Sequence, residues 1–207
     1  MTPLRQRWDA TWQRLLPAAA PPALFGELER RYREPQRHYH TLQHLEECFA
    51  HFDGVKELAE HPLEVELALW FHDSVYDVHA RDNEVQSAAW ADRALLAAGL
   101  PEDACARIHT LIMATCHDAL PGSNDARLLT DIDLAILGAE PDRFAEYERQ
   151  IRLEYAHVPD ALFKAKRREI LQGFLDRGRL FQTPACHARY ETAARRNLAS
   201  AIGTTAL

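Results

Sequence analysis

No uninterrupted apolar run in these 207 residues approaches the ~20 that a membrane span needs. No segment sustains alternation of apolar and polar residues, and valines are few and scattered, so no convincing strand is read. A glycine-rich phosphate loop, a Gly-x-Ser-x-Gly elbow and a dinucleotide fingerprint are all missing. Cysteine is scarce and spread out: Cys48, Cys105, Cys116 and Cys186 form no Cys-x-x-Cys pair. That spacing excludes a zinc ribbon or a thioredoxin-like motif and fits reduced thiols, read here as small core residues. Positive charge is in deficit, with a formal net charge of -7. The balance argues against a nucleic-acid duplex or an anionic membrane as the main partner. The stretch from Met1 to Trp8 is charged early and lacks a long apolar core, so no signal peptide is expected and the expected compartment is the cytoplasm.

What is present is the material of a soluble globular domain, 47% hydrophobic and 27% charged. A chain of this size buries a core without disulfides or metal staples. Apolar residues recur at the helical period almost throughout. Thr2 caps a first helix with the stripe Leu4, Trp8, Trp12, Leu15 and Leu16. A second helix is expected from Pro22 to about Arg33, then a loop over 34–40 in which Pro35 turns Glu34 away from helix. Thr41 caps a third, Pro62 opens a fourth, and Asp82 or Asn83 caps a fifth that stops at Gly99. Further helices are expected from Pro101, over about Leu128 to Leu137, from Pro141, from Asp160, and over about His187 to Ala201. No repeat or low-complexity linker divides the chain. The expectation is one all-α domain over residues 1–207, a bundle of about nine or ten helices.

Chemistry concentrates in three places. His72 and Asp73 sit side by side at the end of the apolar run Ala68-Leu69-Trp70-Phe71. Imidazole and carboxylate are both ligands for divalent transition metals, and a carboxylate among hydrophobic residues needs a partner. His40 and His44 are four apart, a spacing that puts two side chains on one side of a helical segment. Asp131 and Asp133 interrupt an otherwise apolar segment, Leu128 to Leu137. Buried carboxylates are paired or metal-bound, and two residues two apart point in roughly opposite directions on a helix. One of the two is therefore expected to face a pocket and the other to cap, to accept from an arginine or to reach solvent. The remaining histidines carry no motif, and the basic run Lys164–Arg168 reads as the solvated face of an amphipathic helix. The aromatic first helix leaves a monomer or a homodimer open.

The motifs Arg37-His38-Tyr39-His40-Thr41-Leu42-Gln43-His44-Leu45, Trp70-Phe71-His72-Asp73-Ser74-Val75-Tyr76, Asn83-Glu84-Val85-Gln86-Ser87-Ala88 and Asp131-Ile132-Asp133-Leu134-Ala135-Ile136-Leu137-Gly138 together resemble the HD-domain superfamily. Within it they look like a bacterial branch of predicted metal-dependent HD phosphohydrolases. The resemblance covers most of the chain, including Ile151-Arg152-Leu153-Glu154-Tyr155. It implies an all-helical fold and His44, His72, Asp73 and Asp133 as metal ligands, with Asp133 preferred to Asp131 because Leu134 follows it. By analogy with cyclic-nucleotide phosphodiesterases, His40 is the candidate proton donor to the leaving group. Glu84 is a candidate for orienting a water or a ligand histidine, and His117 for a second metal or a phosphate. Arg37 and Arg81 are candidate phosphate contacts, because guanidinium matches phosphate geometry. The implied activity is hydrolysis of a small phosphomonoester or phosphodiester, a nucleotide among the candidates. The implied cofactor is a divalent transition metal, Mn, Fe, Ni, Co or Zn. The alternative is a non-catalytic HD-like module that senses or scaffolds a metal and a nucleotide. A plain helical protein with incidental histidines would leave Asp131 and Asp133 unexplained.

Overall fold

A computed structural model describes residues 2–16, 21–117 and 120–203. The protein is all-α: ten α-helices and three short 3-10 segments, with no strand among the described residues. Among the described residues, no helix is long and apolar enough to cross a membrane. The chain divides into two compact units, Met1–Leu129 and Thr130–Leu207.

The first unit holds α1 (Pro3–Leu15), α2 (Pro22–Tyr32), α3 (Leu42–Asp53), α4 (Pro62–Phe71), α5 (Asn83–Ala97), α6 (Glu102–Met113) and most of α7 (Asn124–Asp133). It is built around α4. The periodicity predicts one apolar face there, but every residue from Glu64 to Phe71 is buried. A helix buried all round is a core helix, and α4 packs against α1, α3, α5 and α6. Trp70 is its hub: the Trp8 ring meets it edge-on at 5.2 Å, Phe49 lies at 4.7 Å and Phe25 at 6.0 Å. The two carboxylates that α4 carries inward are paired, Glu64 with Arg107 through two bonds of 2.7 Å and Glu66 with Arg7. Two further bonds tie α4's start. The Asp125 carboxylate accepts from the main-chain N–H groups of Glu60 and His61 at 2.7 and 2.9 Å.

Thr2 and Thr41 cap α1 and α3 as their side chains predict, accepting from Arg5 N and Gln43 N. Gly99 ends α5 with φ of 92°, where a Cβ would be strained. One helix starts earlier than expected. Here α7 begins at Asn124, because the Ser123 hydroxyl accepts from Ala126 N and the Asn124 amide donates to Leu58 O.

The second unit holds the end of α7, a 3-10 segment over Leu134–Gly138, α8 (Pro141–Glu154), α9 (Asp160–Leu175) and α10 (Pro184–Ala201). The 3-10 segment packs under α10. Gly138 is required there: a Cβ would stand 2.7 Å from the Cβ of Tyr190. Asn197 then donates to Leu137 O and Ala139 O, satisfying carbonyls at the end of that segment. Thr183 caps α10 and moves its start three residues ahead of the expected His187.

Candidate metal centre

The site in the first unit begins where α4 ends. His72 is the C-cap residue, its N–H bonded to Ala68 O. Its side chain is 1% exposed, and Nδ1 lies 2.9 Å from Leu69 O. A carbonyl only accepts, so Nδ1 carries a proton, and in the neutral ring Nε2 presents a lone pair. This is how the outer hydrogen bond of a metal-binding histidine fixes its tautomer. His44 reaches the same point from the first turn of α3. The two Nε2 atoms are 3.1 Å apart. Asp73 Oδ2 stands 3.0 Å from His72 Nε2 and 3.3 Å from His44 Nε2. Adjacent ligands on one ion with bonds of about 2.1 Å are spaced about 3.0 Å in an octahedron and about 3.4 Å in a tetrahedron. The three donor atoms have that spacing. Burial pushes the Asp73 carboxyl up, but positive charge on the imidazoles of His72, His40 and His44 outweighs it and holds the group well below the usual carboxylate range.

Cys48 completes the neighbourhood. It lies one turn after His44 on α3 and is buried, with Sγ 3.7 Å from both ring nitrogens of His44. His44, Cys48 and His72 offer ligand atoms within 4.8 Å of one another, a group able to hold a metal ion. From the sequence alone Cys48 reads as a small core residue. Its signal was the four-residue spacing from His44.

The loop over 33–41 is held by Arg37. Its side chain is fully buried and is spent on the protein: Nε on Glu34, the terminal nitrogens on the main-chain oxygens of His40, Asp73 and Ser74 at 3.2, 2.6 and 3.2 Å. The guanidinium lies over the Tyr32 and Tyr76 rings. Expected at a phosphate, Arg37 instead ties the His40 loop to the chain just after His72. The reason is local: three carbonyls at a loop and a helix end need donors, and the arginine fork supplies them.

His40 is half-buried, stacked on Tyr76 at 4.1 Å, with its ring 6.0 Å from that of His44. Tyr39 is buried and its ring lies 4.8 Å from His44. The chain after Asp73 is pinned to α5 by Ser87, whose hydroxyl accepts from Val75 N, and by Asn83, which exchanges two bonds with Asp77. Glu84 stands half-buried in the first turn of α5, and Arg81 is exposed just before it. His117 follows α6 with φ of 57°, the one non-glycine residue in the left-handed region among the described residues.

The two aspartates of α7 have different lives. Asp131 is 0% exposed, and both its oxygens are occupied. Oδ1 accepts from Gln182 N at 2.7 Å; Oδ2 accepts from Thr183 N at 2.7 Å and from the Thr183 hydroxyl at 2.6 Å. Burial pushes its carboxyl up, against the opposing pull of those donors. Asp131 is a brace for the turn into α10. Asp133, half-buried, is the last residue of α7. Compared with protein-family models, with curated proteins and with solved structures, the chain finds no match.

Proposed function

We propose that this protein is a metal-dependent phosphohydrolase of the HD-domain type, acting on a small phosphorylated compound. The observation that carries the reading is the convergence of His44 Nε2, His72 Nε2 and Asp73 Oδ2 within 3.3 Å of one another. Asp133 is the second carboxylate that the HD-domain resemblance implies for the ligand set. With Asp131 committed to Gln182 and Thr183, Asp133 is the carboxylate of α7 left for that role. The donor set of imidazoles and carboxylates suits Mn, Fe, Ni, Co or Zn. When bound, such an ion supplies Lewis acidity toward a phosphoryl oxygen and acidifies a water.

The chain's own groups do the rest. His40 is the proposed proton donor to the departing oxygen, a role that an imidazole N–H can fill. Tyr76 fixes its plane by stacking, and Arg37 fixes its backbone. A second reading, a non-catalytic module that binds a metal and a nucleotide, draws support from the commitment of Arg37 to main-chain carbonyls rather than to a phosphate.

Metal content by plasma mass spectrometry, paired with turnover of a panel of phosphomonoesters and phosphodiesters, tests both. The phosphohydrolase reading expects about one equivalent of transition metal in the protein and none in the His72→Ala/Asp73→Ala double variant. It expects His40→Ala to keep the metal and lose turnover. No metal after reconstitution would sink both readings. A metal-loaded protein without activity on any ester of the panel would leave the second.

A further inference from the structure

We propose that α9 is a self-association surface, on which a second copy of this chain docks antiparallel across the face that carries Leu162, Lys166, Glu169 and Gly173; this goes beyond the proposed function and does not depend on it. The aromatic residues of α1 are not free for such a contact, since Trp8 and Trp12 are 0% and 1% exposed in the core of the first unit. By contrast, α9 is a helix of 16 residues in which Leu171 alone is buried. Its inner side is spent within the second unit. Arg167 pairs with Glu148 of α8, the Arg168 guanidinium donates to Ile202 O at 2.8 Å, and the Phe163 ring lies 6.3 Å from that of Tyr155. The other side is left to solvent, with Leu162 53% and Ile170 50% exposed.

Leu162, Lys166, Glu169 and Gly173 follow one another at intervals of four, three and four, the spacing that lays one seam of a helix against a partner helix. Ala165 and Ile170 flank the seam. The seam is complementary to itself. In an antiparallel pair related by a twofold axis that crosses between Arg167 and Arg168, Leu162 stands level with the second copy's Gly173, and Lys166 with the second copy's Glu169. The larger side chain meets the smaller and the base meets the acid, at both ends alike, as an isologous contact requires. A parallel pair would set Lys166 on Lys166 and Glu169 on Glu169, which repel. A Cβ on Gly173 would meet nothing within 4 Å beyond its own helix, so packing within the chain does not call for a glycine there, where it weakens the helix. The second copy's Leu162 takes that room. Within one copy Lys166 and Glu169 pair at 2.7 Å while 66% and 69% exposed. The second copy brings each of them another opposite charge, and such a polar layer fixes the register of a helix pair.

Sedimentation equilibrium of the full chain, over loadings from micromolar to millimolar, measures the dimer directly. A monomer–dimer equilibrium is expected for the wild type, a weak one because the seam is only about three turns long. Lys166→Glu and Glu169→Lys each set like charges in the central layer and should raise the dimer dissociation constant about tenfold or more. The double variant Lys166→Glu/Glu169→Lys restores opposite charges and should return the constant to within about threefold of the parent. Leu162→Asp should leave a monomer. A wild-type chain that stays monomeric up to about 1 mM overturns the inference. So does a dimer indifferent to Leu162→Asp and to the single charge reversals, because it would lie on another surface. A double variant that dimerises no better than the single ones overturns the antiparallel pairing. None of these outcomes alters the metal content that tests the proposed function.

Discussion

Asp73, half-buried, and Asp131, fully buried, are both carboxylates at the ends of apolar helical stretches, and they are partnered in opposite ways. Asp131, in the second unit, meets only donors: two main-chain N–H groups and a hydroxyl, at 2.6–2.7 Å. Its bonding is complete without any other species. Asp73, in the first unit, meets two imidazole nitrogens, one of which has its lone pair turned inward by the bond from Nδ1 to Leu69 O. A carboxylate and a lone pair at 3.0 Å attract nothing in each other; a cation or a shared proton resolves them. A carboxylate that the protein satisfies is scaffold, and one that it faces with further acceptors is a site.

The largest effect should come from breaking the scaffold member. Asp131→Ala removes the acceptor of three donors, each costing about 1–3 kcal/mol when left unsatisfied. We expect a loss of about 3–5 kcal/mol, seen as a thermal midpoint lower by about 10 °C or more. A midpoint within about 2 °C of the parent would refute the brace. Next comes Arg37→Lys, which keeps the charge but cannot reach His40 O, Asp73 O and Ser74 O with one planar fork. It should cost about 2 kcal/mol of stability. If Arg37 positions rather than binds phosphate, turnover falls through kcat with metal content unchanged, whereas a phosphate contact would raise KM. Asp73→Ala should be milder in stability than either, costing about 1 kcal/mol, because it removes one half-buried carboxylate paired with imidazoles. Its mark is metal affinity, lower by more than tenfold in a competition titration, while Asp131→Asn leaves the affinity of the folded fraction unchanged.

The pattern of donors was legible in the sequence because carboxylates and imidazoles stand out against the apolar runs around Phe71 and Ile132. The all-helical architecture was legible from the same periodicity, and Thr2, Thr41 and Gly99 mark their helix ends as propensity says they should. What the sequence hid depends on main-chain partners. Carbonyls carry no residue label, so nothing in the sequence told that Arg37 would serve three of them. Likewise Asp131 and Asp133 differ only once Gln182 and Thr183 come back, 51 and 52 residues later, to occupy one of them. Cys48 reads as packing on its own, as an isolated buried cysteine usually does, and the sequence marks its place beside the His44 ring only by the spacing of four.

The smallest effect separates acids that merely pair from acids that organise backbone. Glu191 of α10 accepts from Leu180 N and Phe181 N and pairs with Arg195. Burial raises its carboxyl, but those donors prevail and hold it below its ordinary value. Asp53 is also held low, chiefly by its bond to the Arg7 guanidinium, yet its side chain is 51% exposed. For both groups the folded state prefers the ionised form. The stability each lends is therefore complete above the ordinary carboxylate range and drains away as the pH falls through the lowered folded value. Stability measured by urea titration from about pH 6 down to about pH 3 spans that window. Glu191→Gln should flatten the acid side of the curve, because the lost bonds organise the turn that precedes α10. Asp53→Asn should change it less, since an exposed ion pair is screened by solvent and contributes little. Equal flattening by the two variants would show that the exposed pair with Arg7 stabilises the first unit as strongly as the carboxylate beneath α10 stabilises the second.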